Sequence, residues 1–152
     1  MEITPEGQYD TDFDWFCVDE SGAIGHFTTA GFKGLPPSVA ASSEDLDRVV
    51  KYFDSLVPHE NGHDLDSNLP DRARNDRYLR SFIAMADRGI FSFDIASYLE
   101  PGIEYFRVAI PKTPLRLVDL PDAVRVIVAR TVLKEKLLSL TARIGYEETL
   151  TM

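Results

Sequence analysis

The chain has 152 residues, 44% apolar and 27% charged, a composition that excludes wholesale disorder and fits one globular domain spanning 1–152. Its 25 acidic and 16 basic side chains leave a net charge of -9, which repels nucleic acid and anionic membranes alike, so no nucleic-acid or membrane partner is expected. The single cysteine, Cys17, excludes a disulfide framework; no apolar run reaches spanning length and the opening residues do not form a signal peptide, so a cytoplasmic protein is expected.

Residues 1–13 are polar with scattered aspartates and read as a loosely held arm. Residues 14–20 (DWFCVDE) alternate, with Trp15, Cys17 and Asp19 on one face and Phe16 and Val18 on the other. Ser21-Gly22 supplies a turn and 23–29 (AIGHFTT) a second strand, so 14–29 is expected to be a β-hairpin. The Gly-Pro-rich stretch 31–37 is a loop. Ser43 is the expected N-cap of a helix over 43–56. Glu44 and Asp45 occupy its first turn, Leu46, Val49, Val50 and Phe53 form an i, i+3, i+4, i+7 stripe, and Pro58 ends it. A polar loop, 58–70, leads to a second helix from about 71 to 88, opened by Pro70-Asp71, striped by Leu79, Phe82, Ile83 and Ala86, and stopped by Gly89.

Residues 90–95 (IFSFDI) alternate and 103–110 (IEYFRVAI) are rich in β-formers; with Pro101-Gly102 between them they form a second expected hairpin. The last quarter reads in two ways. A helix from Pro121 to about 139 is favoured by the helix-forming run 134–138 (KEKLL), and a strand is the alternative because 124–128 (VRVIV) is β-branched and alternating. The resulting order predicts an α+β fold, an antiparallel sheet from two hairpins with two to three helices packed on one face.

His59-Glu60-Asn61-Gly62-His63 matches the H-E-x-x-H of zinc hydrolases, in which a helix brings both imidazoles to one face. Pro58 before it and Asn61-Gly62 inside it favour a turn, and no Glu lies between Glu60 and Glu100 to act as third ligand. A polar loop is expected, with a metal-dependent hydrolase using His59, Glu60 and His63 as the rival. Asp10, Asp12 and Asp14 open like a calcium loop, but Trp15 and Ser21 stand where Gly and Glu are needed, so neither metal nor cofactor is expected. Cys17, among Asp14, Asp19 and Glu20, reads as a buried inert thiol, and a Cys17–His26 pair as the less favoured reading. Arg72, Arg74, Arg77 and Arg80 read as a solvated helix face balanced by Asp71 and Asp76, with contact to an anion or acidic partner as the alternative.

Charge is unevenly distributed. Residues 1–70 hold 14 acidic and 3 basic groups, whereas 71–152 hold 11 and 13. Solubility alone accommodates this. If the first hairpin and first helix adjoin, however, they form an acidic face that steers a basic protein partner. The residues expected on it are Asp10, Asp12, Asp14, Asp19 and Glu20, with Asp45 and Asp47 from the helix and Tyr9 or Phe13 as aromatic anchor.

Asp14-Trp15-Phe16-x-x-Asp19-x-x-Gly22-x-Ile24-x-x-Phe27 resembles the opening of small uncharacterised bacterial proteins, themselves similar to the immunity proteins that sit beside polymorphic toxins. The likeness covers residues 14–31 and, more loosely, the helix start at Leu120-Pro121. It implies no catalytic set. It implies a non-enzymatic protein that neutralises a partner by covering it, and an acidic cover suits a basic toxin such as a nuclease. A small-molecule sensor domain is a further alternative.

Overall fold

The computed structural model describes residues 1–9, 11–31, 34–97, 104–145 and 149–151. In chain order the elements are β1 (Asp14–Asp19), β2 (Ile24–Thr28), α1 (Pro37–Ala40), α2 (Ser43–Ser55), β3 (His63–Leu65), α3 (Asp76–Asp87), β4 (Phe91–Ser97), β5 (Glu104–Pro111), α4 (Asp122–Val128), β6 (Thr131–Leu133), β7 (Arg143–Gly145) and β8 (Thr149–Thr151). Short 3-10 turns occupy Glu6–Gln8, Asp71–Ala73 and Leu117–Asp119.

The fold is α+β, and both expected hairpins are present. β1 pairs antiparallel with β2, Trp15 opposite Phe27 and Cys17 opposite Gly25, around a turn where Gly22 takes φ 90°. β4 pairs antiparallel with β5. Its turn signal, Pro101-Gly102, lies outside the described residues. The sheet is mixed rather than antiparallel throughout. The hairpins join through parallel β2–β4 contacts, and β6 adds to β1 in parallel, giving the order β3-β5-β4-β2-β1-β6-β8. β7 lies along the same edge of β5 as β3, pairing with residues 104–106 while β3 pairs with 109–111.

Both faces of this sheet are buried, which is why β1 is buried throughout after Asp14 instead of alternating with solvent. On one face α2 and α4 set Val49, Phe53, Val124 and Val128 against Phe16, Val18 and Ile24. Beside them α3 sets Leu79, Phe82 and Ala86 against Val108 and Ala109. The opposite face carries Trp15, Phe27, Phe93 and Tyr105, with Trp15 stacked on Phe27 at 4.4 Å and Phe27 on Phe93 at 4.9 Å. Ile3, Leu35 and Leu138, all from irregular segments, cover it.

Three local expectations change. The N-terminal segment is not a loose arm: Ile3 is buried, its N–H donates to the Ala40 carbonyl at 2.7 Å, and the Gln8 side-chain Oε1 accepts from the Gly34 and Leu35 N–H groups at 3.1 Å each. The helix caps fall at Ser42, which accepts from the Asp45 N–H, and at Asn75, which accepts from the Tyr78 N–H. The second helix therefore starts at Asp76, because Asn75 is the stronger cap and residues 71–73 already close a separate 3-10 turn; Gly89, at φ 94°, stops it as expected. The final helix ends at Val128. Thr131–Leu133 pairs with β1, Glu135 turns the chain at φ 66°, and Leu138 enters the core fully buried. No helix among the described residues is long and apolar enough to cross a membrane.

Candidate functional site

Five polar residues of the central strands fall on positions of one alternation: Asp14 on β1, His26 and Thr28 on β2, Ser92 and Asp94 on β4. The register places Asp14 opposite Thr28 and His26 opposite Ser92. Strand alternation turns all five to the face of Phe16, beneath Tyr78 and Phe82 of α3. His26 is 3% exposed, with Nε2 2.9 Å from Asp14 Oδ1 and Nδ1 2.8 Å from Ser92 Oγ. An ionised carboxylate only accepts, so in the neutral ring Nε2–H donates to Asp14 and the Ser92 hydroxyl donates to Nδ1. The order Asp-His-Ser is that of a hydrolase triad, but its hydroxyl is the inner end, at 0% exposure, and its carboxylate the open one. No substrate reaches Ser92; the chain satisfies and orients a buried histidine.

Asp94 continues the cluster. It accepts from Thr28 Oγ1 at 3.1 Å, from the Ile95 N–H at 2.8 Å and from the Tyr78 hydroxyl. Asp12 lies alongside and accepts from the Ala30 N–H at 2.8 Å. Partial burial holds the Asp12 carboxyl above its ordinary range, and the charges of Asp14 and Asp94 push it further; the Ala30 N–H and His26 act against them. Among the described residues no lysine or arginine pairs with Asp12, Asp14 or Asp94.

A raised carboxyl binds its proton more tightly folded than unfolded. Stability therefore falls as pH rises from the ordinary 3.8 through the raised value, and the whole penalty remains above it. Asp12→Asn is expected to stabilise the fold near neutral pH and so raise its thermal midpoint, the gain being less than about 1 kcal/mol because water screens the exposed side. The gain disappears well below pH 3.8, where Asp12 is itself protonated. Melting curves at both pH values test this, and a gain that persists in acid contradicts the electrostatic cause.

The other acidic positions do not join this cluster. Asp10 lies outside the described residues. Asp19 was expected on the surface and is instead 3% exposed. Its Oδ1 accepts from the Ser21 N–H, the Ser21 hydroxyl and the Ala23 N–H, and its Oδ2 from the Leu138 N–H, so it is spent inside the fold. Glu20 is exposed but lies past the opposite end of β1, more than roughly 17 Å from Asp14 at about 3.3 Å per residue. Asp45 is held by Arg130 at 2.6 Å, with Arg48 at 3.9 Å, and Asp47 is exposed on α2. The two candidate anchors also part: Tyr9 is exposed, whereas Phe13 packs inward.

The H-E-x-x-H residues form a turn into β3, with Asn61 at φ 52°. His63 Nδ1 lies 2.7 Å from Asp87 Oδ1, so the shared helical face that zinc hydrolysis needs does not exist. His26 does not face Cys17, since Gly25 pairs with Cys17 and the imidazole packs beside Phe16 on the other side of the sheet. Burial and the Asp19 charge push the Cys17 thiol far up, which makes it inert. Asp94, Thr28, Ser92 and Tyr78 escaped the sequence reading. For the three strand residues the available signal was a polar side chain at an inward position of an apolar strand, which marks a shared polar network only once register is known. No family model matches the chain, and neither the curated proteins nor the solved structures contain a match to it.

Proposed function

We propose that this chain is a non-enzymatic binding protein that engages a basic protein partner through Asp12, Asp14 and Asp94, with the exposed Tyr9 as aromatic anchor. In this reading it acts in the cytoplasm and neutralises its partner by covering it, as immunity proteins do, to which the small bacterial proteins sharing its opening motif are similar. One observation carries the reading: three carboxylates are gathered at the open end of the central hairpin without a lysine or arginine partner among the described residues, and in the free protein only His26 and the Ala30 N–H act against their mutual repulsion. A partner's lysine or arginine supplies the missing counter-charge. It relieves the repulsion, and the cluster's field accelerates encounter. The charge that weakens the free fold is then the charge that binds.

An oligo-arginine peptide is the test probe, titrated into the whole protein by heteronuclear NMR. The expected amide shifts concentrate at 11–14, 28–30 and 94–95. Affinity should fall about tenfold in Asp12→Asn/Asp14→Asn and fall again with added salt. Shifts spread evenly over all exposed carboxylates, or unchanged affinity in the double variant, would overturn the reading.

A further inference from the structure

Basic side chains converge at one place on this acidic molecule. The segment after β3 lies over β5 and leaves a hollow of about 330 Å³, bordered by β7. Arg72, Arg107 and Arg143 line it against one carboxylate, Asp66. A second hollow of about 340 Å³ shares Arg72 and Phe106 with the first and runs on toward Tyr78. Volumes of this size match small-molecule sites, which combine apolar walls with a few fixed polar groups. Here Leu69 and Phe106 supply the apolar wall.

The three guanidiniums are engaged to different degrees. Arg107 is 12% exposed, donating from Nε to Asp66 at 2.8 Å and from Nη1 to the Leu138 carbonyl at 2.7 Å. Its Nη2 has no partner among the described residues, so a rigidly held donor is left over beside the hollow. Arg143 pairs with Glu104. Arg72, on the exposed 3-10 turn, has no side-chain partner among the described residues.

We propose that this hollow binds a small organic anion, a carboxylate or phosphate on an apolar body. Arg72 and Nη2 of Arg107 hold the oxyanion, and Phe106 and Leu69 receive the body. Arg107 is already ordered by Asp66 and Leu138, so binding costs little further side-chain freedom there, and a charge-assisted pair to an oxyanion is strong. The net charge of -9 opposes polyanions at long range, which leaves small anions able to exploit a local reversal of sign. This proposal does not rest on the basic-partner reading.

Phenyl phosphate, phenylacetate, inorganic phosphate and benzylamine are titrated separately into the whole protein by calorimetry and NMR. Phenyl phosphate or phenylacetate should bind saturably, shifting amides at 68–73, 106–107 and 142–143, and the tighter of the two identifies the anionic group. Inorganic phosphate should bind more weakly, because it leaves the apolar wall empty. Arg72→Ala should weaken binding about tenfold with an unchanged melting curve, and Arg72→Lys should recover part of the loss. Absence of saturable binding by both aromatic anions, equal binding of benzylamine, or affinity unchanged in Arg72→Ala would overturn the proposal.

Discussion

Asp19→Ala is expected to destabilise the fold by about 3–5 kcal/mol. The carboxylate accepts four hydrogen bonds from three residues at 2.7 to 3.0 Å. Those to the Ser21 and Ala23 N–H groups shape the turn between β1 and β2, and the one to the Leu138 N–H ties down the segment that covers the second face of the sheet. Alanine leaves buried donors without an acceptor, and each unsatisfied group costs about 1–3 kcal/mol. Asp19→Asn separates the two sets of contacts. The amide oxygen can still serve the turn, but the NH2 group then faces the Leu138 N–H, so an intermediate loss of about 2 kcal/mol is expected. Urea unfolding of both variants provides the measurement, and a loss below about 1 kcal/mol for Asp19→Ala would show that the network contributes little.

Arg107→Met is expected to cost about 3–5 kcal/mol, because it strands the Asp66 carboxylate at 2% exposure. The pair sits where two short strands meet one edge. β3 occupies residues 109–111 of β5, β7 occupies 104–106, and the backbone between them is taken by the Asp66 N–H on the Val108 carbonyl and by the Arg107 N–H on the Ala142 carbonyl. The side chain of Arg107 then clamps the loop after β3 and the carbonyl of Leu138 together. Hydrogen exchange at Ile110 and Tyr105 should quicken in Arg107→Met, since β3 and β7 lose their common anchor. The double variant Arg107→Met/Asp66→Asn should lose less than the sum of the single losses, by about 1 kcal/mol or more, because the second change removes the stranded charge. Full additivity in that cycle would mean that the two side chains act independently.

Asp19 also shows why the acidic candidate surface was only partly readable. The charge imbalance between 1–70 and 71–152 is a property of composition, but it does not say which carboxylates meet solvent. Asp12 and Asp14 remain on the outside and gain Asp94, a residue eighty positions further along the chain than Asp14. Asp19, three residues before Gly22, looks like a surface turn residue by type and becomes the acceptor of a distant amide. Asp45 is claimed by Arg130. The H-E-x-x-H turn, by contrast, was legible, because Pro58, Asn61 and Gly62 oppose a helix through their own backbone preferences.

Features that depend on near neighbours follow from local residue preferences. The alternation of 14–29 around Ser21-Gly22 made the first hairpin, the stripe Leu46, Val49, Val50 and Phe53 made α2, and Gly89 with its positive φ stopped α3. Tertiary structure alone decided the parallel joins of β2 to β4 and β1 to β6, the burial of Asp19, and the fate of residues 131–138. The physical reason lies in the magnitudes. Helix preference in the run 134–138 is worth tenths of a kcal/mol per residue. Burying Leu133 and Leu138 completely is worth about 1.5–3 kcal/mol each, and that gain appears only when β1 and the core beneath it are already in place.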